Sequence, residues 1–386
     1  SNNSVTVLRG DLTKQMLSDI LGASSSAMGD LGIHLTDDLD WGVNPCAEIG
    51  MNPVYDFGSH FETGWSFCNL TEINGVAVDS YEKGMELATH ASVIGTIQAS
   101  YTSFPYLGRT SELIAERDAL LGVSITGIMD NPKLMDQTLL SSMARQVKMT
   151  NIVMAQALGI NQAARTTCVK PSGKASLLLG VSAGIHARKG RRTIRRVQAD
   201  LIDAPTRFLQ EKMHEHGLHD AIEPGAWGTD LCFYFAEVAP EGAIIEDELS
   251  AMDQLEAVRF FKEHWVNEGH NRGVETHNVS NTLYVNDDEW DEVADFILQH
   301  EDTFNSLSFQ RSASPHEWPQ TPTIAVQTKE DLVKTYGPLY VEMAMERWMD
   351  RPKGQSVWDF SLQHDTDITI ASLDDGFIDT LVPAIS

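Results

Sequence analysis

The sequence predicts an α/β protein. Short apolar runs rich in β-branched residues alternate with longer, Pro-free segments of mixed polarity, a strand–helix rhythm. Repeated strand–helix units imply parallel strands joined by right-handed crossovers. A chain of 386 residues, 42% hydrophobic and 22% charged, can bury a large core in one to three domains.

The elements follow in order. Residues 81–102 lack Pro and read as a helix. Residues 121–128 are a short buried-strand pattern, and 139–158 are helical. A short strand over 166–170 ends in a Pro-Ser-Gly turn. Strand 231–238 precedes helix 249–268; strand 277–285 precedes helix 287–299, with Asp287 or Asp288 placed to cap it. A last helix is expected over 330–349, and the stretch from Asp350 onward has weak pattern.

Composition excludes several classes. No apolar run is long enough to cross a bilayer and the start does not read as a signal peptide, so a soluble, cytoplasmic protein without a membrane partner is expected. Cys46, Cys68, Cys168 and Cys232 are too scattered for a disulfide framework, and no Cys-x-x-Cys suggests a zinc ribbon. Core packing is the default for Cys168 and Cys232. A formal charge of −27 opposes nucleic-acid binding, so a nucleotide site here must be locally basic. Arg188, Lys189, Arg191, Arg192, Arg195 and Arg196 form one basic run, which suits nucleotide phosphates, an acidic partner surface or a solvated face. His214, His216 and His219 look like metal ligands but read better as a solvent-facing helix end; no metal site is expected.

Two segments carry the chemistry: Asn44-Pro45-Cys46-Ala47-Glu48-Ile49 and Phe67-Cys68-Asn69-Leu70. In extended backbone, Asn44, Cys46 and Glu48 point to one side, and Pro45 biases Asn44 away from helix. An amide, a thiol and a base on one face, with a second thiol to follow, suit sulfur chemistry on a polyol. The plain alternative is a turn with a buried cysteine. Lys170-Pro171-Ser172-Gly173-Lys174 invites a phosphate reading, yet it is not a Walker motif: no Gly lies five residues before Gly173, and Ala175 follows Lys174. An ordinary tight turn is the alternative.

Asn-Pro-Cys-x-Glu-Ile followed by Cys-Asn-Leu resembles the catalytic large chain of ribonucleotide reductases, most closely the adenosylcobalamin-dependent class II branch. Companion stretches occur in the family's order: Ser1-Asn2-Asn3-Ser4-Val5, Gly122 to Asp130, Lys170 to Gly173, Ser182-Ala183-Gly184-Ile185-His186, and Val279-Ser280-Asn281-Thr282-Leu283. The resemblance runs to about residue 310. It implies the C-terminal half of a ten-stranded α/β barrel with a central cysteine finger loop near 42–50. That half would occupy 1–320, and a C-terminal helical and tail region 321–386.

The resemblance also assigns roles. Cys46 would become a thiyl radical and take the ribose 3′ hydrogen atom, Glu48 would accept the 3′ hydroxyl proton, and Asn44 would hold the substrate hydroxyls. Cys68 would be one of two thiols that reduce the 2′ position. Its family partner lies on an early barrel strand not found here, so an N-terminal half supplied as a separate chain is expected. Pro171, Ser172, Gly173, Lys174, Ala175 and Ser176 would bind substrate phosphate, although the family usually has Thr or Ser where Lys174 stands. Ser182, Gly184 and His186 would form a neighbouring substrate loop, with a structural role for His186 equally open. Adenosylcobalamin would be the cofactor, ribonucleotides the substrate, and thioredoxin-like or other thiols the reductant, because no cysteine follows Cys232. Ser1 is what cleavage at an intein junction leaves, as a split gene or an added serine also would. A class I large-chain fragment, fed by a separate radical-generating subunit, and a non-catalytic reductase-binding remnant are the rival readings. Isolated Tyr336 and Tyr340, rather than a tyrosine pair, favour class II. A glycyl-radical enzyme is disfavoured by the neighbours of Gly354 and Gly376.

Overall fold

A computed structural model describes residues 3–26, 31–215, 222–225, 228–312 and 323–325. The strands are β1 (Asn3–Leu8), β2 (Leu31–Thr36), β3 (Gly42–Val43), β4 (Gly50–Met51), β5 (Val54–Asp56), β6 (Phe61–Thr63), β7 (Asn69–Asn74), β8 (Leu121–Thr126), β9 (Arg192–Asp200), β10 (Ile222–Pro224), β11 (Asp230–Val238), β12 (Leu283–Val285), β13 (Ser306–Arg311) and β14 (Thr323–Ala325). The helices are α1 (Lys14–Ser26), α2 (Tyr81–Ala99), α3 (Arg109–Asp118), α4 (Gln137–Leu158), α5 (Ala175–Leu179), α6 (Ala204–Glu215), α7 (Ala251–Phe261) and α8 (Trp290–Gln299). The chain divides into two compact units, residues 1–188 with 242–312 and residues 189–241 with 313–386.

The first unit is built on one continuous run of extended segments. β7 and β8 pair in parallel. Val123 of β8 bridges Thr167 in parallel, and Val169 bridges Val279 in parallel. The stretch from Val279 leads into β12, which pairs in parallel with β13. β13 then meets β2 antiparallel, and β2 meets β1 in parallel. Five segments thus share one direction and two oppose them. All six residues of β8 are buried, the pattern of a strand covered on both faces. On one side α2 lies against α4. Its small residues Gly84, Ala88, Ala91, Ser92, Gly95 and Ala99 are buried; Gly84 lies against Met143 and Leu139 of α4, and Gly95 against Leu121 of β8. Ser92 donates to the carbonyl of Val147 at 2.8 Å, and Asn151 donates to the Thr96 hydroxyl at 3.0 Å.

Several expected elements appear with instructive differences. The 166–170 strand is extended but joined to its neighbours by single bridges. The 277–285 strand is regular only from Leu283, because its first part is engaged elsewhere: the Asn278 N–H donates to the carbonyl of Glu48 at 2.9 Å. The 249–268 helix stops being α-helical at Phe261. The next turn, Lys262–Val266, widens to a π-helix that buries Lys262 and Trp265. Neither Asp287 nor Asp288 caps α8; Glu289 is the N-cap residue, and Asp287 pairs with Arg311 at 2.8 Å. The 330–349 helix and the 320/321 boundary lie outside the described residues.

The second unit pairs β9 and β11 antiparallel along nine residues, with β10 on β11 and β14 on β9. Met213 of α6, Leu231 and Phe233 form its small core. This antiparallel sheet departs from the expected parallel scheme; no local signal distinguishes such a strand.

Candidate active site

β3 and β4 pair antiparallel, Val43 opposite Gly50, and the six residues between them form a tight loop. The loop is folded, not extended as the spacing suggested. Pro45 takes the second position of a turn, where its fixed φ fits. The Ala47 N–H donates to the Asn44 carbonyl at 2.8 Å. Ala47 sits at φ 60°, a strained value for a residue with a side chain. The Asn44 side-chain oxygen accepts from the N–H groups of Glu48 and Ile49 at 3.0 and 2.9 Å. Asn44, Cys46 and Glu48 are therefore brought together by a turn and not by the alternation of an extended strand. Cys46 is exposed on the turn, Glu48 is 1% exposed beneath it, and the Asn44 oxygen is spent on the loop itself.

The loop is pinned from below. Asn278 donates through its side chain to the carbonyls of Ala47 and Ser306, both at 3.0 Å. His277 Nδ1 accepts from the Gly50 N–H at 3.1 Å, and its Nε2 lies 2.7 Å from the carbonyl of Leu121. These partners fix the Nε2–H tautomer, and complete burial holds the ring well below the usual histidine range, so it is neutral. Arg165 donates to the Gly50 carbonyl at 3.1 Å and lies over the Trp41 ring at 4.8 Å. Burial pushes its guanidinium down to about 10. A Cβ on Gly122 would meet Leu70 Cδ2 at 2.5 Å, Ile49 Cδ1 at 2.8 Å and Cys168 Sγ at 3.3 Å. Only glycine lets the loop lie this close to the sheet.

Period two along β7 extends back to Cys68, placing Cys68, Leu70 and Glu72 on one face. Ile49, Leu120, Ala164 and Cys168 make a small apolar cluster against which Cys68 and Leu70 pack. The Cys68 thiol is pushed up to about 12, by burial first and then by the charges of Glu48 and Cys46. Burial and Glu48 also raise the Cys46 thiol. Burial raises the Glu48 carboxyl above the usual carboxylate range, opposed by its hydrogen bond with Asn44 and by Lys170. Both sulfurs therefore keep their protons at neutral pH. A held S–H suits hydrogen-atom transfer, whereas nucleophilic thiols need a lowered pKa. Glu48 Oε2 is buried with no hydrogen-bond partner, an acceptor waiting for a donor.

The Pro171–Ser176 segment turns sharply. Ser172 is fully buried at φ 54°, and its hydroxyl has no partner. The Ser176 N–H closes the turn on the Ser172 carbonyl at 3.1 Å, while Gly173 and Lys174 are exposed and the single-turn α5 starts at Ala175. The 182–186 loop adjoins it: a Cβ on Gly184, which sits at φ 56°, would strike the Lys170 carbonyl at 2.4 Å. Asp130 accepts from the Ser182 N–H at 2.8 Å and from two nitrogens of Arg188 at 2.9 Å each, in a buried ion pair. The Ser182 hydroxyl is buried and unpartnered. His186 Nε2 accepts from the Thr282 N–H at 2.9 Å and its Nδ1 lies 3.1 Å from the carbonyl of Ala183, so the ring braces the loop against the 282 segment.

The basic run is largely engaged. Besides Arg188, Arg195 pairs with Glu237 at 2.6 Å and Arg196 donates to Cys232 Sγ at 3.0 Å. Lys189, Arg191 and Arg192 have partners as well. His214 closes the last turn of α6, whereas His216 and His219 lie outside the described residues. Cys168 and Cys232 are buried. Sequence reading missed His277, Asn278, Arg165, Asp130 and Glu72. His277 and Asn278 immediately precede a quoted motif, Val279 to Leu283, and Asp130 closes another, so their local signal was present without a role attached.

Comparison with known proteins follows the same direction. No family model matches the chain. It is 23% identical over 310 residues to an adenosylcobalamin-dependent ribonucleoside-triphosphate reductase of Lactobacillus acidophilus, covering 71% of this chain and 38% of that protein. A protein of the same name from Levilactobacillus brevis is 23% identical over 306 residues, covering 70% and 37%. Among solved structures, a B12-dependent (class II) ribonucleotide reductase superposes with a TM-score of 0.66 at 18% identity, over 95% of this chain and 52% of that one. The Actinobacillus ureae class Id ribonucleotide reductase α subunit gives 0.51 at 14% identity, over 81% and 65%. The chain thus has the fold of a ribonucleotide reductase large subunit, and it spans under two fifths of the length of the curated relatives it matches.

Proposed function

We propose that this chain is the C-terminal catalytic portion of a ribonucleotide reductase that works by thiyl-radical chemistry together with an N-terminal half. The observation that carries the reading is the pinned loop. It presents the Cys46 sulfur at an exposed tip above a buried Glu48 carboxyl whose Oε2 has no partner, both close enough to act on the Cys68 thiol. The run of five parallel segments followed by two opposed ones supports one half of a ten-stranded barrel within residues 1–320, with the 42–50 loop as its finger.

In this reading Cys46, as a thiyl radical, takes the 3′ hydrogen atom and becomes a thiol, while Glu48 accepts the 3′ hydroxyl proton. A carboxylate whose affinity for protons is raised by burial is the better acceptor. Cys68 gives its hydrogen during reduction at C2′ and ends in a disulfide with a thiol of the N-terminal half. The Asn44 NH2 group contacts substrate hydroxyls; its oxygen is occupied. The strained turn at Ser172 and the hydroxyls of Ser172 and Ser182 receive the substrate phosphates beside the exposed Lys174.

Adenosylcobalamin, named in the two relatives, is proposed as cofactor; when bound it supplies the radical by homolysis. One feature of this chain fits it: the Cys46 sulfur is exposed and accessible to a radical source presented from outside. The cavity of about 180 Å³ lined by Phe67, Tyr101 and Phe104 is too small for a corrin, since enclosed cofactor pockets run to roughly 300–1,000 Å³. The reductant is proposed to be a thioredoxin-like or other external thiol.

The test is reconstitution with a reductase N-terminal half, a ribonucleotide, adenosylcobalamin and a dithiol. Cys46→Ser abolishes deoxynucleotide formation, and Cys68→Ser stops repeated turnover. Full activity in Cys46→Ser refutes the assignment.

A further inference from the structure

Glu72 and Lys170 take no part in the thiol–carboxylate scheme, yet they stand on the wall that the loop faces. β7 places Glu72 on the face of Cys68 and Leu70, and the 166–170 segment places Lys170 on the face of Cys168. The crowding around Gly122, where Leu70, Cys168 and Ile49 of the loop converge, identifies this as the loop-facing side. Lys170 Nζ lies 3.3 Å from Glu72 Oε2, with the Glu72 side chain 7% exposed. Glu72 Oε1, like Glu48 Oε2, is buried and unpartnered. Among the described residues the ammonium pairs with Glu72 and not with Glu48. Two buried carboxylates and one ammonium cannot all be charged without cost, so the partner that Lys170 takes decides how the other carboxylate behaves.

We infer that Glu72 is a positioning residue of this site: it holds the Lys170 ammonium against the sheet, off Glu48, and so leaves the Glu48 Oε2 beside Cys46 without a partner. The inference deepens the proposed function and rests on it only for its purpose, since the geometry involves this chain alone. The groups that face Glu48 are Asn44 and Cys46 from its own loop, Cys68 just before β7 and Glu72 within it, Cys168 and Lys170 from the adjoining segment, and the Asn278 N–H below. Lys170 pulls the Glu48 carboxyl and the Cys46 thiol down, and Glu72 pushes the Glu48 carboxyl up. Removing the two partners must therefore move Cys46 in opposite directions.

The test reads iodoacetamide alkylation of Cys46 against pH by peptide mass spectrometry on the chain alone. It requires no nucleotide, cofactor or reductase turnover, so its failure is separate from failure of the reductase reading. Glu72→Gln frees the ammonium and shifts the Cys46 midpoint down by about one pH unit; Lys170→Gln shifts it up by about as much. The double variant returns towards wild type, and Lys170→Arg keeps the wild-type curve. Loss of packing would expose the thiol in both single variants and shift both the same way. Equal-sign shifts, or two curves that coincide with wild type, overturn the inference.

Discussion

At the scale of single residues, Glu48 shows how function sets against stability. A carboxyl raised by burial is stabilising, relative to its unfolded state, only at low pH. That contribution is full below the unfolded value near 4.3 and is lost as pH rises through the folded value. Glu48→Gln is therefore expected to raise Tm at neutral pH and to leave it nearly unchanged in acid, as calorimetry at two pH values would show. A lower Tm for the variant at neutral pH would mean that Glu48 is charged and well paired in the folded chain. The motif Asn-Pro-Cys-x-Glu was legible in the sequence as a candidate site, because its residue types are few and their order is specific. Its shape was not. The alternation argument assumed extended backbone, while Asn44 capping and the Ala47 φ of 60° make a turn. The outcome is a separation of exposed sulfur from buried carboxylate that spacing alone does not foretell.

At the scale of elements, the loop is positioned by what lies beneath it. Asn278→Ala removes the side-chain donors to Ala47 and Ser306 and leaves the Ser306 carbonyl only the longer bond from Asn281 at 3.4 Å, at about 1–3 kcal/mol. Gly122→Ala forces a methyl group against Leu70, Ile49 and Cys168, at about 1–3 kcal/mol of overpacking. Chemical denaturation measures both losses. In both variants Cys46 alkylation is expected to quicken as the loop loosens; unchanged alkylation would show that the loop holds itself. Helices α2 and α4 and strand β8 were legible, because long periodic segments and a fully buried run announce themselves. The 277–285 segment misled: it reads as a strand but spends its first residues gripping another loop. The Asp130–Arg188 pair does the same service for the 182–186 loop. Arg188→Gln strands a buried carboxylate and should cost about 3–5 kcal/mol in the same assay.

At the scale of the whole molecule, distant segments of the first unit meet in one buried polar network. Arg9 donates to the carbonyls of Leu35 and Phe304, Glu275 accepts from Thr36, and the Lys262 amine donates to Thr276, His277 and Asn305. Burial, then the charge of Arg9, pushes Lys262 down to about 7. An unfolded lysine titrates near 10.4, so from about pH 7 to 10 the unfolded chain binds more protons. The contribution of Lys262 to stability rises with pH across that window and is lost as pH falls through 7. Against a Lys262→Met variant, wild-type Tm should therefore gain between pH 7 and 10; parallel curves would show that the amine is charged throughout. The sequence by itself determined the α/β class and the likeness to the reductases, and it carried the residues on which the proposed thiol–carboxylate chemistry rests, because these depend on local periodicity and on residue identity. Only the tertiary structure decided which way β2 runs against β13, where Glu48 is buried, and that Glu72 rather than Glu48 takes the Lys170 ammonium. Those outcomes depend on pairings between residues far apart in the chain, and burial and charge are properties of the neighbours that such pairings bring.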